Sequence, residues 1–176
     1  MLDVKLVEAS KEHENQAMLY RQEYIDFGEK EINGSSELIE YEDYDKWLKR
    51  IAKEKAIKPS STHTPSTTYF MICEDDNKII GSIQLRHHLT DRLRKDGGHV
   101  GYGIRPYERG KGYGVKQLSL ALEKAKELGL DKIMISCNKD NIPSDQVAIK
   151  NGGVMTGEGF DEDEKKVTEI YWINIL

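Results

Sequence analysis

At 176 residues, 38% of them hydrophobic and 32% charged, the chain has the length of one domain and the composition of an ordinary globular protein. A domain of this size buries roughly two thirds of its unfolded surface. The net charge of -5 argues against a general nucleic-acid binder, and no apolar run approaches the ~18 residues of a membrane span.

The opening residues lack a charged-then-apolar leader, so no secretory signal is expected. Cys73 and Cys137 fall in strand-like runs with no C-x-x-C spacing or histidine partner nearby, as expected of reduced core thiols in a cytoplasmic protein. Leu2 to Glu8 alternates weakly and reads as a first strand. Ser10 is an N-cap for a helix from about Lys11 to Phe27, with Met18, Leu19, Gln22 and Ile25 toward one face. Gly28 to Tyr41 is a loop or a broken helix. The next helix, Glu42 to Ala56, spaces Tyr44, Trp47, Leu48 and Ile51 at i, i+3, i+4, i+7, a stripe built for packing. Lys58 to Thr67 is a polar linker within the domain.

Thr68 to Cys73 and Ile79 to Leu85 are strands joined as a hairpin through the turn residues Asp75 to Lys78. Arg86 to Gly97 is charged, with a short helical excursion from Thr90 to Lys95. His87 and His88 make a poor metal pair, because adjacent residues on an extended chain point to opposite faces. His99 to Ile104 is the central strand. The helix Val115 to Leu128 buries Leu118, Leu122, Ala125 and Leu128, and Gly129 caps it. Lys132 to Cys137 is the next strand, expected parallel to the central one because a helix crosses between them. Asn141 to Asn151 is a short helix ended by Gly152-Gly153. Val154 to Gly159 and Val167 to Ile175 form a last hairpin with the acidic tip Phe160 to Lys166. This order predicts an α/β fold, helices covering both faces of a mixed sheet.

The stretch between the central strand and the long helix carries the functional signal. Pro106 ends the strand, and Gly110, Gly112 and Gly114 recur between and after the cations Arg109 and Lys111. The first N–H groups of a helix have no internal partner and lie at the positive end of its dipole, while glycine lets an anion approach the backbone. A pyrophosphate cradle is the reading. Gly110-Lys111 is followed by Gly112 where a nucleotide-triphosphatase loop needs Ser or Thr, and Gly101-x-Gly103 runs into Pro106 where a dinucleotide turn needs a third glycine. The pattern met is [QR]-x-x-G-x-[GA], by Arg109, Gly112 and Gly114.

With the preceding Ile104-x-Pro106 and the helix after it, this stretch resembles the GNAT superfamily of N-acetyltransferases. The resemblance implies a mostly antiparallel mixed sheet in one domain, 1–176, with a splayed pair of parallel strands, and acetyl-CoA as co-substrate. It places the pyrophosphate on the amides of Gly110, Lys111, Gly112, Tyr113 and Gly114, near Arg109. The Ile104 N–H would bind the thioester carbonyl as it becomes an oxyanion. A second family motif, N-x-x-[AS]-x-x-x-Y-x-x-x-G-[FY], is met at Asn141, Ser144 and Gly152, implying that Asn141 bonds the pantetheine or orders the helix entry. Ala148 stands where many members have the tyrosine that protonates the leaving thiolate, and Gly153 where they have an aromatic. Tyr102, Tyr107 and Tyr113 are the candidate substitutes. Where many members have a glutamate before Ile-Gly-Tyr, this chain has His99, suited by its pKa near ~6.5 to act as base.

The implied function is acetyl transfer to a primary amine by direct attack in a ternary complex. A non-catalytic acyl-CoA-binding module and a protein N-terminal or lysine acetylase are the competing readings. The acceptor, a small molecule or a peptide, is expected between Asp26 to Tyr41 and Gly159 to Lys166, whose carboxylates favour a cationic one. The protein itself would be a monomer or homodimer, without a metal.

Overall fold

The computed structural model describes residues 1–175. Strands β1 (Val4–Glu8), β2 (Ser66–Cys73), β3 (Ile79–Arg86) and β4 (Val100–Ile104) form one sheet in that order, antiparallel throughout. A second antiparallel sheet has the order β5 (Lys132–Asn138), β7 (Lys166–Asn174), β6 (Val154–Asp161). The hairpin expected between β2 and β3 is present, and Asn77 turns it at φ 59. The last hairpin is present too.

Helices α1 (Glu14–Asp26) and α2 (Tyr44–Lys55) cover one face of the first sheet. Tyr44, Trp47 and Ile51 of the expected α2 stripe are buried, and Trp47 stacks on Phe70 of β2 with centroids 5.6 Å apart. Full burial of such side chains contributes about 2–3 kcal/mol each. The face of α1 differs from the expected one. Leu19 and Ile25 are exposed, while Ala17, Tyr20 and Tyr24 face the sheet. The tyrosines win because their rings bury more surface and their hydroxyls find partners, Tyr20 Oη on Ser82 Oγ at 3.1 Å and Tyr24 Oη on the Ile104 carbonyl at 2.8 Å.

On the other face, α4 (Tyr113–Glu127) packs Leu118, Ala121 and Ala125 into a core shared with both sheets. Leu128 is the C-cap and is exposed, contrary to expectation. The short α3 (Asp91–Lys95) and α5 (Ile142–Lys150) complete the set.

The central strand and the next, expected as a splayed parallel pair, share no ladder. β4 and β5 belong to different sheets and are joined at an isolated antiparallel bridge between Gly98 and Ile135. Beside it, the His99 N–H donates to the Met134 carbonyl at 2.8 Å. Past that point no ladder joins the strands, so β4 is a sheet edge beside an open seam. Among the described residues no helix is long and apolar enough to cross a membrane.

Candidate active site

Pairing with β3 decides which way β4 presents its backbone. Ile104 stands opposite Gly81, and the Arg105 N–H donates to the Ile80 carbonyl at 2.8 Å. Alternation therefore turns the Ile104 N–H and C=O away from β3, toward the free edge. The carbonyl is taken by two donors, Tyr24 Oη at 2.8 Å and Arg109 Nε at 3.0 Å. Arg109 also grips Glu29 through Nη1 and Nη2, the latter at 3.0 Å, and lies over the Tyr24 ring. The arginine that opens the glycine motif thus braces the end of the central strand. Sequence reasoning missed Tyr24, whose partner is 80 residues away.

The turn follows at once. Pro106–Glu108 is a single 3-10 turn. Gly110 and Gly112 have φ of +73 and +86, a region that residues with a Cβ avoid. Gly112 is the N-cap of α4 and offers no side chain to its amides. The first-turn N–H groups of Tyr113, Gly114 and Val115 are left for an outside acceptor. Gly114 has a packing duty as well, because a Cβ there would stand 3.0 Å from Val147 Cγ2. Lys111 is exposed and paired with Glu108 at 2.9 Å, while Lys78 holds the other carboxylate oxygen at 2.5 Å. Lys78 and then Lys111 keep the Glu108 carboxyl below its ordinary range. Tyr113 is buried, its hydroxyl accepting from the Leu2 N–H at 3.1 Å.

Across the seam, Tyr102 reaches from β4 to the start of α5, its Oη 2.6 Å from Ser144 Oγ. Burial pushes the Tyr102 phenol up to about 12, with the serine bond opposing, so it stays protonated at neutral pH. Asn141 is the N-cap of α5 and its Oδ1 accepts from the Ser144 N–H at 3.3 Å. Ala148 is fully buried, and its carbonyl would lie 2.7 Å from a Cβ on Gly153. The two departures from the second motif therefore touch each other. Tyr107 is mostly exposed and stands edge-on to Phe27.

His99 sits apart from this group. It is buried, its Nδ1 accepts the Met134 N–H at 2.8 Å, and its ring meets Trp172 edge-on. With Nδ1 engaged, the neutral ring carries its proton on Nε2, leaving no free lone pair for base work. Burial first, then Arg86, lowers its pKa to about 4. The residue expected as a base is a staple between β4 and β5.

On the α1 side of β4 the loop before α2 lies directly on the strand. A Cβ on Gly34 would come within 2.7 Å of Tyr102 Cα, and one on Gly103 within 2.9 Å of the Asn33 carbonyl. The alternation Gly101-x-Gly103 serves this approach, a signal present in the sequence. Beside it opens a cavity of about 860 Å³ lined by Glu31, Gly34, Glu37, Glu40, Arg50 and Glu54 on its walls, with Gln84, Arg86 and Asp163. Both segments expected to line the acceptor groove contribute to it. Most of its carboxylates already have partners: Arg50 pairs with Glu37 and Glu54, and Arg92 with Asp163.

The chain belongs to the acetyltransferase (GNAT) domain family, whose model matches residues 5–154, and is an acetyltransferase by class. None of the curated proteins matches it by sequence. Solved structures share the fold at low identity. The ribosomal L7/L12 alpha-N-protein acetyltransferase RimL, in complex with coenzyme A, has a TM-score of 0.67 at 14% identity over 97% of this chain and 93% of its own. A chimera of the spermidine N-acetyltransferase SpeG from Vibrio cholerae and hSSAT gives 0.65 at 16% over 98% and 95%. Salmonella typhimurium yncA, solved with its cofactor acetyl-CoA, gives 0.62 at 13% over 98% and 94%.

Proposed function

We propose that this protein transfers the acetyl group of acetyl-CoA to a primary amine, by direct attack within a ternary complex. The observation that carries this reading is the uncapped start of α4, with Gly110 and Gly112 at positive φ, next to the edge N–H of Ile104. The amides from Gly110 to Gly114 fit a diphosphate, because Gly110 and Gly112 bring no Cβ to the turn and no side chain caps the helix start. The co-substrate supplies an acyl carbon activated as a thioester. The Ile104 N–H holds the carbonyl oxygen as charge builds on it; a fixed donor of this kind contributes about 3–4 kcal/mol. As the C–N bond forms and the C–S bond breaks, Tyr102, paired with Ser144, gives its proton to the departing sulfur, and the proton shed by the new amide nitrogen restores the phenol by way of solvent. Asn141 orders the helix that carries Ser144.

The engaged nitrogen of His99 fits an acceptor that loses its ammonium proton to solvent before attack, so the rate climbs with pH toward the amine's own pKa. The acceptor binds in the cavity beside Gly101 and Gly103. A non-catalytic acyl-CoA-binding module is the competing reading, favoured by Ala148 and by the occupied histidine. An acceptor screen read by thiol release separates them. The test of the cradle is Gly112→Glu, which places a side chain and a negative charge at the diphosphate. CoA binding should be lost in a variant that still unfolds cooperatively, though at a lower melting temperature because a Cβ at φ +86 is strained; unchanged CoA affinity would overturn the assignment.

A further inference from the structure

We infer that the acceptor carries an anion as well as its amine: the Arg86 guanidinium in the groove receives a carboxylate or similar oxyanion of an amino-acid-type acceptor. This rests on the transferase reading above.

The charges around the cavity are unevenly satisfied. Among the walls, Glu37 and Glu54 share Arg50, and Glu54 also accepts from Gln84 Nε2 at 3.0 Å. Arg86 is the opposite case. Among the described residues no carboxylate lies within ion-pair distance of it. Its Nη1 donates to the carbonyls of Gly97 at 3.2 Å and Gly98 at 3.1 Å. Nε and Nη2 remain, and Nη2 lies 3.9 Å from the place a Cβ would occupy on Gly101. Glu54 and Asp96 act on its charge from nearby without reaching ion-pair distance, so the remaining fork is unfilled, and a planar carboxylate is the group that matches it. Arg92 is also close by, though it is paired with Asp163.

Geometry also relates this cation to the chemistry. Gly101 and Ile104 are three residues apart on β4, about 10 Å along the strand. An acceptor whose amine reaches the Ile104 end while its anion meets Arg86 therefore has the size of an amino acid or a short peptide end. Glu31 and Glu40, both lining the cavity, form no ion pair among the described residues and are placed to attract the ammonium group before it loses its proton. The groove carries both signs of charge, where the carboxylates in the sequence pointed to a cationic acceptor.

The test is thiol release from acetyl-CoA with a panel of free L-amino acids, each beside its carboxamide, and L-lysine beside 1,5-diaminopentane. At least one free acid should exceed its amide by about tenfold in kcat/KM, the size of one charged hydrogen bond. Arg86→Gln should collapse that ratio to about one by raising KM for the acid, and Arg86→Lys should restore part of it. Amides or the diamine matching or beating the acids in the wild type would overturn the inference and leave the transferase reading standing. So would an Arg86→Gln variant that melts early and loses acid and amide alike, which would make Arg86 only a brace for Gly97 and Gly98. Release from no acceptor at all, with acetyl-CoA still bound, would sink the transferase reading and this inference with it.

Discussion

Tyr102 and His99 lie three residues apart on the same stretch and have opposite fates. Tyr102 spans the seam to Ser144 and keeps its proton because burial holds its pKa high. Tyr102→Phe should slow acetyl transfer by about 100-fold, as loss of a general acid does. The deficit should shrink once the pH passes the thiol pKa of about 8.5, where the leaving sulfur needs no proton. A deficit independent of pH would rule out the donor role. His99 is held neutral in the fold, with a pKa near about 4 against 6.5 for the free side chain. The unfolded chain therefore binds the proton more readily between those values. Stability is complete above about pH 6.5 and falls on acidification toward about 4, by up to about 1.4 kcal/mol per pH unit. His99→Gln can still accept the Met134 N–H but does not titrate. Its melting temperature should vary less with pH across this window than that of the wild type; equal slopes would show that the ring is not the titrating group.

At the scale of elements, the sequence was most legible where local rules act alone. The β2–β3 hairpin, the α2 stripe and the glycine turn before α4 all follow from turn chemistry, periodicity and the needs of a helix start. α1 was misread because leucine and isoleucine mark a buried face only when nothing better competes. Tyr20 and Tyr24 compete through Ser82 and the Ile104 carbonyl, 62 and 80 residues along the chain, and no window of sequence contains both ends. His99 and Met134 are another such pair, 35 residues apart. The unpaired state of Arg86 is a property of its surroundings and could not be read from its own neighbours in sequence. The two glycines at the loop crossing were visible as residues but not as a contact. Gly34→Ala should cost at least about 2 kcal/mol in denaturant unfolding, since it adds a Cβ at φ +73 into the backbone of Tyr102. A loss below about 0.5 kcal/mol would mean that the loop can lift off β4 freely.

The whole molecule is two antiparallel sheets fastened at one corner, by the Gly98 bridge and the His99 staple, with α4 packed across both. A continuous sheet would have paired β4 on both sides and left no backbone donor for a ligand. The seam has a signature that amide hydrogen exchange can detect. The N–H groups of Gly101, Gly103 and Arg105 are tied to β3, whereas those of Val100, Tyr102 and Ile104 look out of the edge. In the free protein, deuterium should enter β4 at every other position. Coenzyme A lying along the edge should slow Tyr102 and Ile104 while hardly altering Gly101 and Gly103, a two-residue footprint that a ligand bound anywhere else on the molecule could not imitate.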